Sequence, residues 1–277
     1  MPQPAVAGSV WAMSIPTGGY PRTAAVSPRV QVVESTGSTN ADVVRHVVED
    51  PEEWPHLSML LTTDQRAGRG RLDRSWVAPP DTALAVSVVV RVGAIPVAAR
   101  GWIPLIAGAA MTRAVKAQLA GTGHFAALKW PNDVLLDGLK VCGILAEVVP
   151  GHPEIVVVGS GVNTRMQPVD LPVSTATSFA AVGLECDEDR LLADYLTALD
   201  DLINALGAAQ GSAVASGVLA AVQAECSTIG SEVAVSLPDG EMMRGRATRI
   251  DEDGRLVVEQ DSEFESAVSA GDVVHVR

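Results

Sequence analysis

Four arginines and two glycines fall between Arg66 and Arg74, within the stretch Gln65-Arg66-Ala67-Gly68-Arg69-Gly70-Arg71-Leu72-Asp73-Arg74-Ser75-Trp76. Glycine lets a backbone approach a ligand closely and adopt positive φ, and the arginine fork of donors matches phosphate and carboxylate oxygens. Two readings fit these residues: a solvated basic loop, or a loop that is mobile when empty and orders around an anion. A second signal comes from lysine. The chain has 17 arginines but only three lysines, Lys116, Lys129 and Lys140. A sequence that so favours arginine keeps lysine where a compact point charge must sit on an oxygen. Lys116 falls in an amphipathic helical stretch and reads as a surface residue. Lys129 and Lys140 flank Trp130-Pro131-Asn132-Asp133, a motif that also supplies a carboxylate and an amide.

The elements around these residues follow from their pattern. Residues 57–63 and 83–92 read as strands before and after the arginine stretch, so the loop hangs between two core strands. Residues 30–34 read as a strand leading into a helix that opens at Ser38, Thr39 and Asn40. Those three could cap the helix, or offer hydroxyls and free N–H groups to a polar ligand, and one site can serve both uses. A long helix spans about 101–119. The strand at 125–129 must stop at Trp130-Pro131-Asn132-Asp133, because proline restricts its predecessor and Asn/Asp favour turns. Strands at 134–136 and 140–149 form a hairpin around Asp137-Gly138. The strand at 154–162 ends at Asn163 and carries Gly159 and Gly161, which allow close backbone approach. Helices are predicted at 187–206 and 214–226. After Thr228 come five short β runs separated by turns, including Pro238-Asp239-Gly240, which suggest a small barrel.

The fold class is therefore α/β (α+β): a mixed, mostly antiparallel sheet flanked by helices, followed by a small barrel. The predicted division is a weakly ordered N-terminal tail at 1–29, a main domain at 30–228 and a C-terminal domain at 229–277.

Composition limits the function. The net charge of −13 argues against binding DNA through bulk charge. No run reaches the ~18–20 apolar residues of a membrane helix. Cys142, Cys186 and Cys226 form no CxxC pair, which suits a reducing cytoplasm. Phosphate-loop, dinucleotide-fingerprint, HExxH and nucleophile-elbow motifs are absent. The five histidines show no metal-ligand spacing, so no protein-held metal is expected.

Four segments taken in order, ESTGSTN, QRAGRGRLDRSW, KWPNDVLLDGLKVCGILAE and VVVGSGVN, resemble biotin protein ligases. The resemblance implies a catalytic domain related to class II aminoacyl-tRNA synthetases and a C-terminal SH3-like barrel. It implies ATP and biotin as substrates, Mg²⁺ on the phosphates, and a biotin carboxyl carrier protein or domain, such as that of acetyl-CoA carboxylase, as partner. By this resemblance Ser38, Thr39, Asn40, Gln65, Gly68, Arg69, Gly70, Arg71, Lys140 and Gly143 would surround biotin. Arg71, Arg74, Trp76, Lys129, Asn132 and Asn163 would hold ATP. Lys140 and Arg71 would act in catalysis, with Asp133, beside Lys129, orienting the incoming amine. Asp73 replaces a glycine usual in the family's basic loop, where positive φ is harder for Asp and its charge could pair with Arg71 or Arg74.

Three alternatives accompany this reading. A lipoate or octanoate ligase of the same superfamily fits the KWPND and GRGR segments less well. A biotin-sensing DNA-binding regulator would need a helix-turn-helix that the first 29 residues are too short and too Pro/Gly-rich to form. A non-catalytic module built on the barrel leaves Lys129, Lys140 and the arginine loop unexplained.

Overall fold

The apolar run Ala83–Arg91 is buried along nearly its whole length, and that burial requires layers on both sides. The computed structural model describes residues 19–72, 74–237, 241–260, 264–269 and 271–276. In chain order the first elements are α1 (Pro21–Val26), β1 (Val30–Val32), α2 (Thr39–Glu49), β2 (Met59–Thr62), β3 (Gly68–Arg69), β4 (Ser75–Trp76), β5 (Ala83–Arg91) and α3 (Ile103–Gln118). Then follow β6 (Ala126–Lys129), β7 (Asp133–Leu136), β8 (Leu139–Val149), β9 (His152–Asn163), α4 (Glu188–Ala208) and α5 (Val218–Glu225). The last strands are β10 (Glu232–Ser236), β11 (Met242–Ile250), β12 (Leu256–Gln260), β13 (Phe264–Val268) and β14 (Asp272–His275).

Seven strands form one sheet in the order β1-β2-β5-β9-β8-β7-β6. Only β1 and β2 run parallel; the other pairs are antiparallel. Side chains alternate between faces with a period of two. Met59, Leu61, Val86, Val88, Val156 and Val158 point toward α3 and α4, where Ile106, Met111, Leu192 and Tyr195 complete the larger core. Leu60, Val89, Ile155 and Val157 point the other way, against Val43 and Val47 of α2. The hairpin predicted at Asp137-Gly138 is present, with φ of 51° and 81° at the two residues, as a tight primed turn requires.

The five C-terminal strands form an antiparallel sheet ordered β13-β12-β11-β10-β14. Val233, Val235, Ile250 and Leu256 share one core with Trp102 and Leu128 of the larger layer. Two indoles tie the layers: Trp102 Nε1 donates to Glu252 O at 3.0 Å and Trp130 Nε1 to Gly254 O at 3.1 Å. The turn predicted at Pro238-Asp239-Gly240 lies outside the described residues.

Two expectations need correction. Residues 20–29 are not a loose tail. Arg22 and Thr23 donate their backbone N–H groups to the Asp189 carboxylate at 3.0 and 2.9 Å, and the Tyr20 hydroxyl donates to Glu188. An acidic side chain on the first turn of α4 thus satisfies the orphan donors of α1. The helix predicted from 214 begins instead at Val218, after Gly217 takes a left-handed φ of 76°.

Candidate active site

The first turn of α2 stands over the middle of the large sheet. Ser38 caps the helix, and its side chain accepts from Ala41 N. Asn40 is 5% exposed and crosses three strands. Its Nδ2 donates to Glu147 Oε2 at 2.7 Å and to Leu145 O at 3.3 Å on β8. Its Oδ1 accepts from Ser87 Oγ of β5 at 2.6 Å. Between those strands runs β9, where a Cβ added to Gly159 would overlap the Asn40 amide. The amide lies flat on the sheet because Gly159 has no side chain. Thr39 Oγ1 is 2.8 Å from Ser87 Oγ, and Thr39 N donates to Gln65 Oε1 at 2.8 Å. With its acceptors fixed, Ser87 gives its single proton to Asn40, whose Oδ1 cannot donate.

The arginine stretch forms a short hairpin, with Gly68 paired to Trp76 and Arg69 to Ser75. Close packing explains Gly68: a Cβ there would lie 2.5 Å from Gln65 Nε2 and 2.6 Å from Trp76 O. Gly70 N donates to Arg74 O at 2.6 Å and closes the hairpin. Positive φ falls on Leu72, at 55°; Asp73, and the pairing expected of it, lie outside the described residues. The arginines diverge in use. Arg69 pairs with Glu147 at 2.9 Å, whereas Arg71 donates to Asn132 Oδ1 at 2.9 Å. Burial holds the Arg71 pKa below its usual value, opposed by the nearby Asp133 charge and aided by Arg74.

Lys140 enters from the β8 side, where a register shift breaks the ladder with β7. Its Nζ lies 2.6 Å from Asp133 Oδ1 with the side chain 41% exposed. Gly143 keeps that ammonium in place, since a Cβ there would lie 3.1 Å from Nζ. Lys129 stands directly across the ladder from Asp133. Burial lowers its pKa; Asp133 works against that shift, while Lys140 and Arg74 add to it. Asn132 is fixed by its Nδ2 bond to Ile144 O at 2.7 Å. Asn163 is fixed by its Nδ2 bond to Thr177 O at 2.9 Å.

These residues line two adjoining cavities. The narrow one, about 150 Å³, is walled by Ser38, Thr39, Asn40, Gln65 and Arg69. The wider one, about 560 Å³, is walled by Lys129, Asn163, Val173 and Val274 of β14. Arg74, Trp76, Asn132, Asp133, Lys140 and Gly143 border both. An acid in the narrow cavity and a polyanion in the wide one would therefore meet at Lys140. Among the predicted site residues, Gly68 alone lies off both cavities, shaping the hairpin beside Arg69.

Residues 32–163 match the biotin/lipoate A/B protein ligase family, and residues 228–276 match the biotin protein ligase C terminal domain. The biotin–[acetyl-CoA-carboxylase] ligase of Mycobacterium tuberculosis is 38% identical over 250 residues, covering 90% of each chain. The chain belongs to the biotin protein ligase family. Two solved structures share its fold. The Aquifex aeolicus biotin protein ligase in complex with biotin and ATP superposes with a TM-score of 0.70 at 20% identity, covering 90% of this chain and 99% of that one. The Leishmania major biotin protein ligase in complex with biotinyl-5-AMP gives 0.56 at 21% identity, covering 88% and 99%.

Sequence reasoning about this biotin protein ligase passed over two polar residues that organise the narrow cavity, Ser87 and Glu147. A signal existed for both: each interrupts an apolar strand, Ser87 in ALAVSVVVR and Glu147 in GILAEVV, and buried strands seldom carry polar groups without partners. The indole of Trp76 lies on Gly161, where a Cβ would come within 2.6 Å of the ring. Gly161→Ala is expected to lift Trp76 from the shared wall and raise the KM for ATP by about tenfold, the loss of roughly one stacking contact. The biotin KM should move far less; equal rises in both would show a general distortion instead.

Proposed function

We propose that this biotin protein ligase condenses biotin with ATP to biotinyl-5′-AMP and pyrophosphate, then passes biotin to a lysine amine of a biotin carboxyl carrier domain, releasing AMP. The observation that carries the chemistry is the placement of Lys140 on the wall shared by the two cavities, with Asp133 beside it. In the first step a carboxylate oxygen attacks the α-phosphorus and pyrophosphate leaves. Two anions must approach, so charge fixed at their junction lowers the barrier. Lys140 supplies it there, and Arg71, held by Asn132, supplies it from the hairpin. In this reading Thr39, Asn40 and Gln65 hold the biotin head and Gly143 gives its carboxylate room beside Lys140. Trp76, Arg74, Lys129 and Asn163 hold the nucleotide.

In the second step the acceptor amine must arrive uncharged at the acyl carbon. Asp133, between Lys129 and Lys140, is the carboxylate among the described residues lining both cavities and is assigned to orient the amine. No covalent enzyme intermediate is needed. We assign residues 30–228 to the catalytic unit and 229–277 to the barrel that completes its wider cavity through β14. Magnesium belongs to the nucleotide in this scheme. Among the described residues no group of three His, Cys, Asp or Glu side chains converges, so the side chains fit a metal that arrives on the phosphates and not a preformed cage. No described helix is long and apolar enough to cross a membrane, and the −13 charge disfavours a DNA-binding role.

The first test is biotin-dependent exchange of pyrophosphate into ATP, without any carrier. Exchange with biotin is expected. Exchange with lipoate or octanoate alone would keep the fold and replace the substrate, and duplex DNA binding at low salt would favour the regulator.

A further inference from the structure

Glu147 does something that the chemistry of adenylation does not require. Its carboxylate lies on β8, 27% exposed at the side chain. It joins two groups that belong to different elements, α2 and the arginine hairpin. Asn40 Nδ2, on the sheet-bound floor of the narrow cavity, donates to Oε2 at 2.7 Å. Arg69 Nη2, on the hairpin that roofs the same cavity, sits 2.9 Å from Oε1 and 3.1 Å from Oε2. The Asn40 amide cannot turn away, because Ser87 holds its oxygen from the opposite side. The carboxylate therefore has one partner on the sheet-bound floor and one on the hairpin.

Resting on the biotin ligase reading, we propose that Glu147 is a positioning residue: a catch that holds the hairpin shut over the narrow cavity through Arg69. Two consequences follow. Arg69 spends its charge on Glu147, so it acts as a strap and not as a phosphate ligand; Arg71 and Lys140 carry the anion chemistry. The catch also reports on the floor, since only an Asn40 seated on Gly159 presents its Nδ2 to the same carboxylate. A mixed anhydride hydrolyses readily in water, so a roof that stays closed between the two half-reactions protects the intermediate.

The test is adenylate retention. Biotinyl-5′-AMP is formed on the enzyme without carrier, and its release is followed after dilution into unlabelled biotin. Glu147→Gln keeps an oxygen for the Asn40 amide and removes the charge for Arg69. It is expected to raise the release rate about fivefold, the size of a half-exposed ion pair, while the biotin KM rises less than twofold. Arg69→Ala should raise release by a similar factor, and the double variant should leak no faster than Arg69→Ala alone. Raised salt should speed release from the wild type more than from Glu147→Gln, which has already lost the Arg69 pair. Unchanged release in Glu147→Gln would overturn the catch, as would additive effects in the double variant. A protein that performs no exchange with biotin would overturn the ligase reading itself, which separates the two failures. Should Glu147→Gln fold poorly, Arg69→Ala decides, and release no faster than that of the wild type counts against the proposal.

Discussion

Lys140→Ala should lower the rate of biotin-dependent pyrophosphate exchange by ~10²–10³-fold, corresponding to about 3–4 kcal/mol of transition-state stabilisation for one key charge contact. The cavities dictate this. Lys140 borders both of them, and the proposed reading has the two anions meet at its ammonium. Substrate binding should survive better than turnover, because the proposed reading gives the biotin head to Thr39, Asn40 and Gln65 of the narrow cavity. The loss should therefore appear mainly in kcat. Lys140→Arg should rescue little. The ammonium is packed against Gly143, where even one added carbon would sit 3.1 Å from Nζ, and a planar guanidinium needs more room than a point charge. Its charge would also point elsewhere, since Asp133 accepts from Lys140 at 2.6 Å in a geometry set by the β7–β8 register shift. Near wild-type exchange in Lys140→Ala would remove this residue from the chemistry and leave Arg71 as the main cation.

Much of this site could be read from the sequence because its chemistry is local. Arg69, Gly70 and Arg71 are adjacent, the KWPND segment sits at one strand end, and the turn at Asp137-Gly138 places Lys140 by itself. The use of Gly159 and Gly161 for close approach was also legible. What approached them was not, because Asn40 and Trp76 come from distant segments. The residues overlooked were those placed only by sheet register. Ser87 lies 47 residues from Asn40, and Glu147 lies 107 residues away. No local pattern links them; the adjacency of β5, β9 and β8 does. The helix at Pro21–Val26 escaped notice for a related reason. Its six residues show no apolar period and lack a side-chain cap, and the carboxylate that anchors them, Asp189, is 166 residues away.

Gly159→Ala should raise the KM for biotin by ~30–150-fold, about 2–3 kcal/mol, with a well-folded protein. The position has ordinary extended backbone, which alanine accepts. The three atoms nearest the added methyl all belong to the Asn40 amide, so the sheet stays and the side chain moves. Moving it breaks three bonds at once, to Ser87, Leu145 and Glu147. It also leaves the buried Ser87 hydroxyl with only Thr39 as partner. The floor of the narrow cavity would lose its orientation while Lys140, Arg71 and the wider cavity keep theirs, so the KM for ATP should change by less than about threefold. That division distinguishes a damaged pocket from a damaged fold. A cycle with Asn40→Ala sharpens it. If Gly159 matters only by admitting Asn40, adding Gly159→Ala to Asn40→Ala should cost almost nothing, because the methyl then fills the space the amide has left. Additive losses would mean that Gly159 touches the substrate directly, and a wild-type biotin KM in Gly159→Ala would show that the Asn40 amide does not shape the pocket at all.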